Sequence, residues 1–155
     1  MWTRASWLQT TSSCDIAVQF LLDTNIVSDL ARRPQGACAA RIAAVGEAAV
    51  VTSIIVAAEI RFGLAKLEAQ NGGRRLCANL RTILSQLPIL SFEAPADEHY
   101  GEIRRQLEGA GTPIGPNDLL IAAHARSLGL TIVTDNTREF QRVPNLSVEN
   151  WLEEI

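Results

Sequence analysis

The sequence predicts a parallel α/β fold in three layers, with helices on both faces of a small central sheet. Three observations carry that prediction. Short apolar runs at 18–22 and 130–133 each end abruptly in a polar turn, Asp23-Thr24-Asn25 and Thr134-Asp135-Asn136. Such runs read as buried strands that open at their carboxyl ends. The segments between the apolar runs are mostly of helical period, as the crossovers of a parallel sheet require. The chain has 155 residues, 47% of them hydrophobic, enough for one domain with its own core.

Taken in order, residues 1–17 are polar, rich in Ser and Thr, and without period. The strand at 18–22 comes next, then a helix carrying Ile26, Val27 and Leu30, which Pro34 stops. Residues 37–47 are alanine-rich and predict a second helix, and 48–51 a second strand. Thr52-Ser53 supplies N-cap chemistry for a long helix over 54–70, with Ile60, Leu64 and Leu67 on one face. Asn71-Gly72-Gly73 breaks it. Leu76, Leu80, Ile83, Leu84 and Leu87 then place an amphipathic helix over 74–87, and 89–92 is a third strand. The spacing of Tyr100, Ile103 and Leu107 predicts a helix over 96–109. After the 111–115 loop, Pro116 sits where the first helical residue belongs. That helix runs over 117–127 and stops at Gly129, a left-handed C-terminal residue. The fourth strand is 130–133; a helical turn near Glu139-Phe140 and a last strand at 146–148 complete the chain.

Composition excludes several classes. Three scattered cysteines, Cys14, Cys38 and Cys77, make no disulfide framework, and there is no Cys/His cluster for zinc. No apolar run reaches the ~20 residues of a membrane span. The N-terminus has no continuous apolar h-region, so with free cysteines the expected compartment is a reducing cytoplasm. The net charge of −3 by itself disfavours a nucleic-acid partner.

The distribution of acid changes that reading. Asp23 follows the first strand, Asp135 the fourth, Asp118 lies in the first turn of a late helix, and Glu59 lies in a helix among Ala57, Ala58 and Ile60. Each has an ordinary explanation: capping for Asp118, Asx turns for Asp23 and Asp135, a solvent-facing turn for Glu59. Together they gather where ligands collect in a parallel sheet, at the carboxyl ends of strands. Carboxylates crowded on one rim repel one another, and a divalent cation removes the repulsion. Oxygen donors without Cys or His select Mg²⁺ or Mn²⁺. Such a cation can activate water and stabilise an in-line phosphoryl displacement. The reaction class is phosphodiester hydrolysis.

At these residues the chain resembles the PIN-domain nucleases, specifically the VapC toxins of bacterial type II toxin–antitoxin systems. The matching stretches run in family order: FLLDTNIVSDL with Asp23, TSIIVAAEIRFGL with Glu59, HYGEIRRQLEGAGTPIGPNDLLIAAHARSLG with Asp118, and IVTDNTREFQRVPNLSVENW with Asp135. The resemblance spans about 18–151 and implies a PIN-like α/β/α sandwich over 18–155. It implies a Mg²⁺- or Mn²⁺-dependent ribonuclease that cuts tRNA or rRNA, forms a homodimer, and is held inactive by a cognate VapB-type antitoxin. Asp23 and Asp118 then match the principal metal ligands, Glu59 the third acid and Asp135 the fourth and least constant. Thr24, Asn25, Ser53, Thr134 and Asn136 would fix carboxylate rotamers or touch the scissile phosphate. Chains of this kind typically begin near the first strand, so residues 1–17 are expected to be a misassigned start or a disordered appendage.

Arg61, Lys66, Arg74, Arg75 and Arg81 fall between the second acid and the third strand, opposed by Glu68 alone. They could follow an RNA backbone or simply form a solvated helical face. Apolar positions around Ile60, Phe62, Leu64 and Leu67 exceed one core face and suggest a dimer or antitoxin surface. A phosphoacceptor receiver domain needs a lysine after a late strand, whereas Lys66 is the only lysine. The remaining alternative is a non-catalytic PIN-like module that binds RNA or an antitoxin; four acids present together weigh against it.

Overall fold

The structure is a computed structural model, and it describes residues 17–152. The expectations for residues 1–16 lie outside the described residues. Five parallel strands form one sheet in the order β3-β2-β1-β4-β5. They are β1 (Phe20–Leu22), β2 (Val50–Ser53), β3 (Ile89–Leu90), β4 (Thr131–Val133) and β5 (Val148–Glu149). Seven helices are described: α1 (Thr24–Arg32), α2 (Ala37–Val45), α3 (Ile54–Ala69), α4 (Arg74–Gln86), α5 (Ala96–Gly109), α6 (Pro116–Ser127) and α7 (Thr137–Phe140). Adjacent side chains on a strand point to opposite faces. Leu21 and Leu22 are nonetheless both fully buried, so helices cover the sheet on both sides, as a parallel sheet requires. Helices α1, α3 and α4 pack on one another, and α5 packs on α6.

Punctuation in the sequence becomes geometry at the helix ends. Gly129 takes φ +67°, and the amides of Gly129 and Leu130 bond the carbonyls of Arg126 and Ala125, a complete Schellman stop for α6. Asn71, at φ 52°, plays the same part for α3, with Gly72 N–H bonding Leu67 C=O. The helix after β1 starts at Thr24, two residues earlier than apolar spacing suggests, because Asp23 itself caps it. Near the C-terminal end, buried Trp151 meets the Phe20 ring edge-on at 4.9 Å and so ties the tail to β1. The surplus apolar face of α3 divides: Ile60 and Leu64 are buried, while Phe62 is 66% exposed with Lys66 Nζ 5.3 Å from its ring centre.

The order of the strands decides where a ligand can enter. Strand β1 pairs with β2 on one side and β4 on the other, Leu22 lying beside both Thr52 and Val133. The direction of winding reverses between β1 and β4, and a doubly wound sheet opens a crevice at such a point. Asp23 and Asp135 stand just past those two strand ends.

Candidate active site

Asp23 is 3% exposed, and every feature around it serves its carboxylate. As N-cap of α1 it accepts from Thr24 N–H at 2.8 Å through Oδ1. Its Oδ2 accepts from Thr134 Oγ1 at 2.8 Å and from Asn25 Nδ2 at 3.3 Å. Burial raises its pKa against these donors, and the Asp135 charge adds to the rise. Asn25 does a second task, its Oδ1 accepting from Asp135 N–H at 3.0 Å, so it latches the β4 turn to the head of α1.

The second group lies at the N-terminus of α6. Pro116 opens that helix and puts Asp118 in its first turn. Asn136 Nδ2 donates to Asp118 Oδ2 and to Glu139 Oε2, both at 3.1 Å, so it grips the two carboxylates together. Burial, a hydrogen bond shared with Glu139, and the charges of Asp23, Glu139 and Glu59 push the Asp118 carboxyl up to about 8. The same shared bond draws Glu139 downward, helped by Asn136 and by the Gly115 amide. Burial and the shared bond thus favour the neutral form of Asp118 and the ionised form of Glu139. Glu59, reaching over from α3, accepts from Thr24 Oγ1 at 3.2 Å and from Asn117. Burial and the Asp23 charge raise its pKa.

Of the residues singled out from sequence, Asp23, Glu59 and Asp118 converge, and Thr24, Asn25, Thr134 and Asn136 hold them. Asp135 and Ser53 stand differently. The Asp135 side chain is exposed and makes no hydrogen bond among the described residues, although its charge is felt at Asp23. The turn after β4 directs its backbone, not its carboxylate, into the network. Ser53 is fully buried, accepting from Ile55 N–H and meeting His124 Nδ1 at 2.7 Å. It caps α3 and touches none of the acids. Glu139 is the residue sequence reasoning missed. Its signal was the Asn136-x-x-Glu139 spacing of a capping box, which marks α7 as an ordered turn beside the β4 end. Arg61, Lys66, Arg74 and Arg75 are all exposed on α3 and α4, and Arg81 pairs with Glu68.

The donor set fits a hard divalent cation. All its members are oxygens, none of the acids forms an ion pair among the described residues, and burial together with their mutual repulsion opposes the ionisation of Asp118. No three His, Cys, Asp or Glu side chains among the described residues close around a point by themselves. Mg²⁺ does not require that, since it binds through one or two carboxylates and fills its octahedron with water and substrate oxygens. Asp23 and Asp118 could hold it directly, with Glu59 and Glu139 through water.

A doubly wound parallel sheet with carboxylates gathered beyond its switch point defines an α/β protein with an acidic site at the carboxyl ends of its strands. The family emerges from comparison with known proteins. The family model of the PIN domain matches residues 20–146, and the chain belongs to the PIN-domain family. Ribonuclease VapC2 of Rickettsia felis is 43% identical over 102 residues, covering 66% of this chain and 74% of that protein. The tRNA(fMet)-specific endonuclease VapC of Shigella flexneri is 36% identical over 134 residues, covering 86% of this chain and 98% of the relative. Among solved structures, VapBC2 from Rickettsia felis bound to a promoter DNA fragment superposes with a TM-score of 0.76 at 36% identity, covering 85% of this chain and 98% of that one. DNA-bound VapBC from Salmonella typhimurium gives 0.74 at 33% identity over 86% and 98%. No helix among the described residues is long and apolar enough to cross a membrane.

Proposed function

We propose that the protein is a Mg²⁺- or Mn²⁺-dependent endoribonuclease, the toxin of a VapBC pair, which cuts structured RNA of the tRNA or rRNA class in the cytoplasm. The observation that carries this reading is the cluster of Asp23, Glu59 and Asp118 at the switch point, none of them in an ion pair among the described residues. Relatives named as VapC ribonucleases, one of them tRNA(fMet)-specific, support the substrate class. Structures of VapBC complexes support a VapB-type antitoxin as partner. A homodimer is part of the proposal.

The bound cation would neutralise the scissile phosphate and make an attacking water more acidic. The chain's own residues prepare the place for it. Thr134 and Asn25 fix the Asp23 rotamer, and Asn136 keeps Asp118 and Glu139 side by side. Glu59, whose affinity for a proton burial has raised, would serve as the base. Thr24 and Asn117 orient it.

The test is cleavage of an initiator tRNA transcript by the purified chain. Cutting with Mg²⁺ or Mn²⁺, none with chelator, and none by folded Asp23→Asn is the expected result. Full activity in chelator or in Asp23→Asn overturns the site assignment. Binding of the RNA without cutting under all conditions returns the non-catalytic alternative.

A further inference from the structure

A cleft runs away from Glu59 between α1, α3 and α4. One wall is a polar row on α1, Thr24, Ser28 and Arg32, at one residue per helical turn. The floor is apolar, formed by Ile60, Leu67, Leu76 and Leu80, and Gly63 faces it from α3. Eight residues of helix give the cleft a length of about 12 Å. Its cavity volume is about 150 Å³, smaller than the roughly 300–1,000 Å³ of a whole small-ligand site, so it would take one group of a larger ligand. Arg32 forms no ion pair among the described residues.

Gly63 marks the same cleft. It sits in the middle of a 16-residue helix, where glycine is the poorest choice after proline. Neither usual justification applies. Its φ is not positive, and a Cβ built there meets no atom within 4 Å. No neighbour in the fold needs the space that its missing side chain leaves, and that space opens into the cleft.

We propose that this cleft is a base-accepting subsite for a nucleotide flanking the scissile phosphate, kept open by Gly63 and read along its edge by Ser28 and Arg32. The proposal rests on the ribonuclease reading. A nucleobase has apolar faces and a polar rim, matching an apolar floor beside a hydroxyl and a free guanidinium. Single-stranded or looped RNA offers bases that can leave the stack to enter such a site. The cleft begins at the carboxylate of Glu59, so an occupying base belongs to a residue at the cut.

The test compares the wild type, Gly63→Ala, Gly63→Leu and Arg32→Ala, each as the full chain with Mg²⁺. The substrates are the initiator tRNA transcript and a synthetic stem–loop carrying its mapped cut. The stem–loop is also made with an abasic residue on either side of that cut. Gly63→Leu is expected to keep or raise the unfolding temperature and to lower kcat/KM about tenfold or more, the scale of one lost base contact. Gly63→Ala has a milder effect, and Arg32→Ala weakens cutting of both substrates. One abasic substrate penalises the wild type by a similar factor and penalises Gly63→Leu no further. Cutting by Gly63→Leu and Arg32→Ala within about twofold of wild type, less than one base contact, overturns the subsite while leaving the nuclease reading intact. Unchanged cutting with poorer neutralisation by the antitoxin assigns the cleft to the protein partner. A wild type that cuts neither substrate withdraws the nuclease reading and the subsite with it.

Discussion

Replacing Asp118 by Asn removes the group whose ionisation the folded protein most opposes. The unfolded carboxyl titrates at 3.8 and the folded one at about 8. Between those values the folded chain holds a proton that the unfolded chain has lost. The stabilisation is complete below 3.8 and disappears as pH rises through 8, at about 1.4 kcal/mol per pH unit. From pH 5.5 to 7.5 the upper bound is thus about 2.7 kcal/mol. Asp118 is half-buried, and solvent screening reduces the expected loss to about 1–2 kcal/mol. For a chain of this size that lowers Tm by roughly 3–6 °C. Asp23 and Glu59 are also raised and act in the same sense. Glu139 is lowered, so its opposite contribution falls below its ordinary 4.5, outside the window. The assay is thermal unfolding by circular dichroism in chelator at pH 5.5, 6.5 and 7.5. The wild type loses stability along the series and Asp118→Asn loses much less. Mg²⁺ at pH 7.5 restores the wild type, because the cation binds the ionised cluster, and leaves the variant unmoved. A wild type that gains stability from pH 5.5 to 7.5 in chelator, or a variant with the same slope, refutes the reasoning.

Two further outcomes test the supporting network. Thr134→Val keeps shape but strands the Asn136 amide and leaves Asp23 Oδ2 with the Asn25 bond alone; it should cost about 1–3 kcal/mol in unfolding free energy and about 10–100-fold in cleavage. An unaltered cleavage rate would show that Asp23 is positioned without Thr134. Glu139→Gln should abolish most cleavage, whereas Asp135→Asn, altering an exposed carboxylate without hydrogen bonds, should keep it within about threefold, as expected of a screened surface charge. The reverse ranking, measured on one transcript, would return the fourth position to Asp135.

Much of the fold was legible because its signals are local. Apolar runs that end in Asp, the Pro116 start and the Gly129 stop each fix an element without reference to the rest of the chain. Their convergence is not local. Asp23 and Asp135 share a rim only because β1 lies beside β4, and no periodicity encodes that pairing. The same gap explains Glu139. Its helix is four residues long, too short for a hydrophobic pattern, and its carboxylate matters only once the β4 turn has carried it against Asp118. Ser53 stands apart from the acids for the opposite reason. Its capping chemistry was read correctly, but His124 from α6 occupies its remaining valence, a contact 71 residues away in sequence.

The bulk charge was the weakest guide of all. A net −3 argues against nucleic acid only if charge is spread evenly, and here it is sorted. Asp23, Glu59, Asp118 and Glu139 are drawn together at the strand ends, where burial first, then the Glu139 hydrogen bond and the neighbouring charges, push the Asp118 carboxyl up to about 8. The helical surfaces of α3 and α4 carry exposed Arg61, Lys66, Arg74 and Arg75. A divalent cation at the strand ends would stand between these acids and the negative charge of a polyanion. The acidity that disfavours RNA over the whole chain is, at the strand ends, the condition for holding the ion that would act on it.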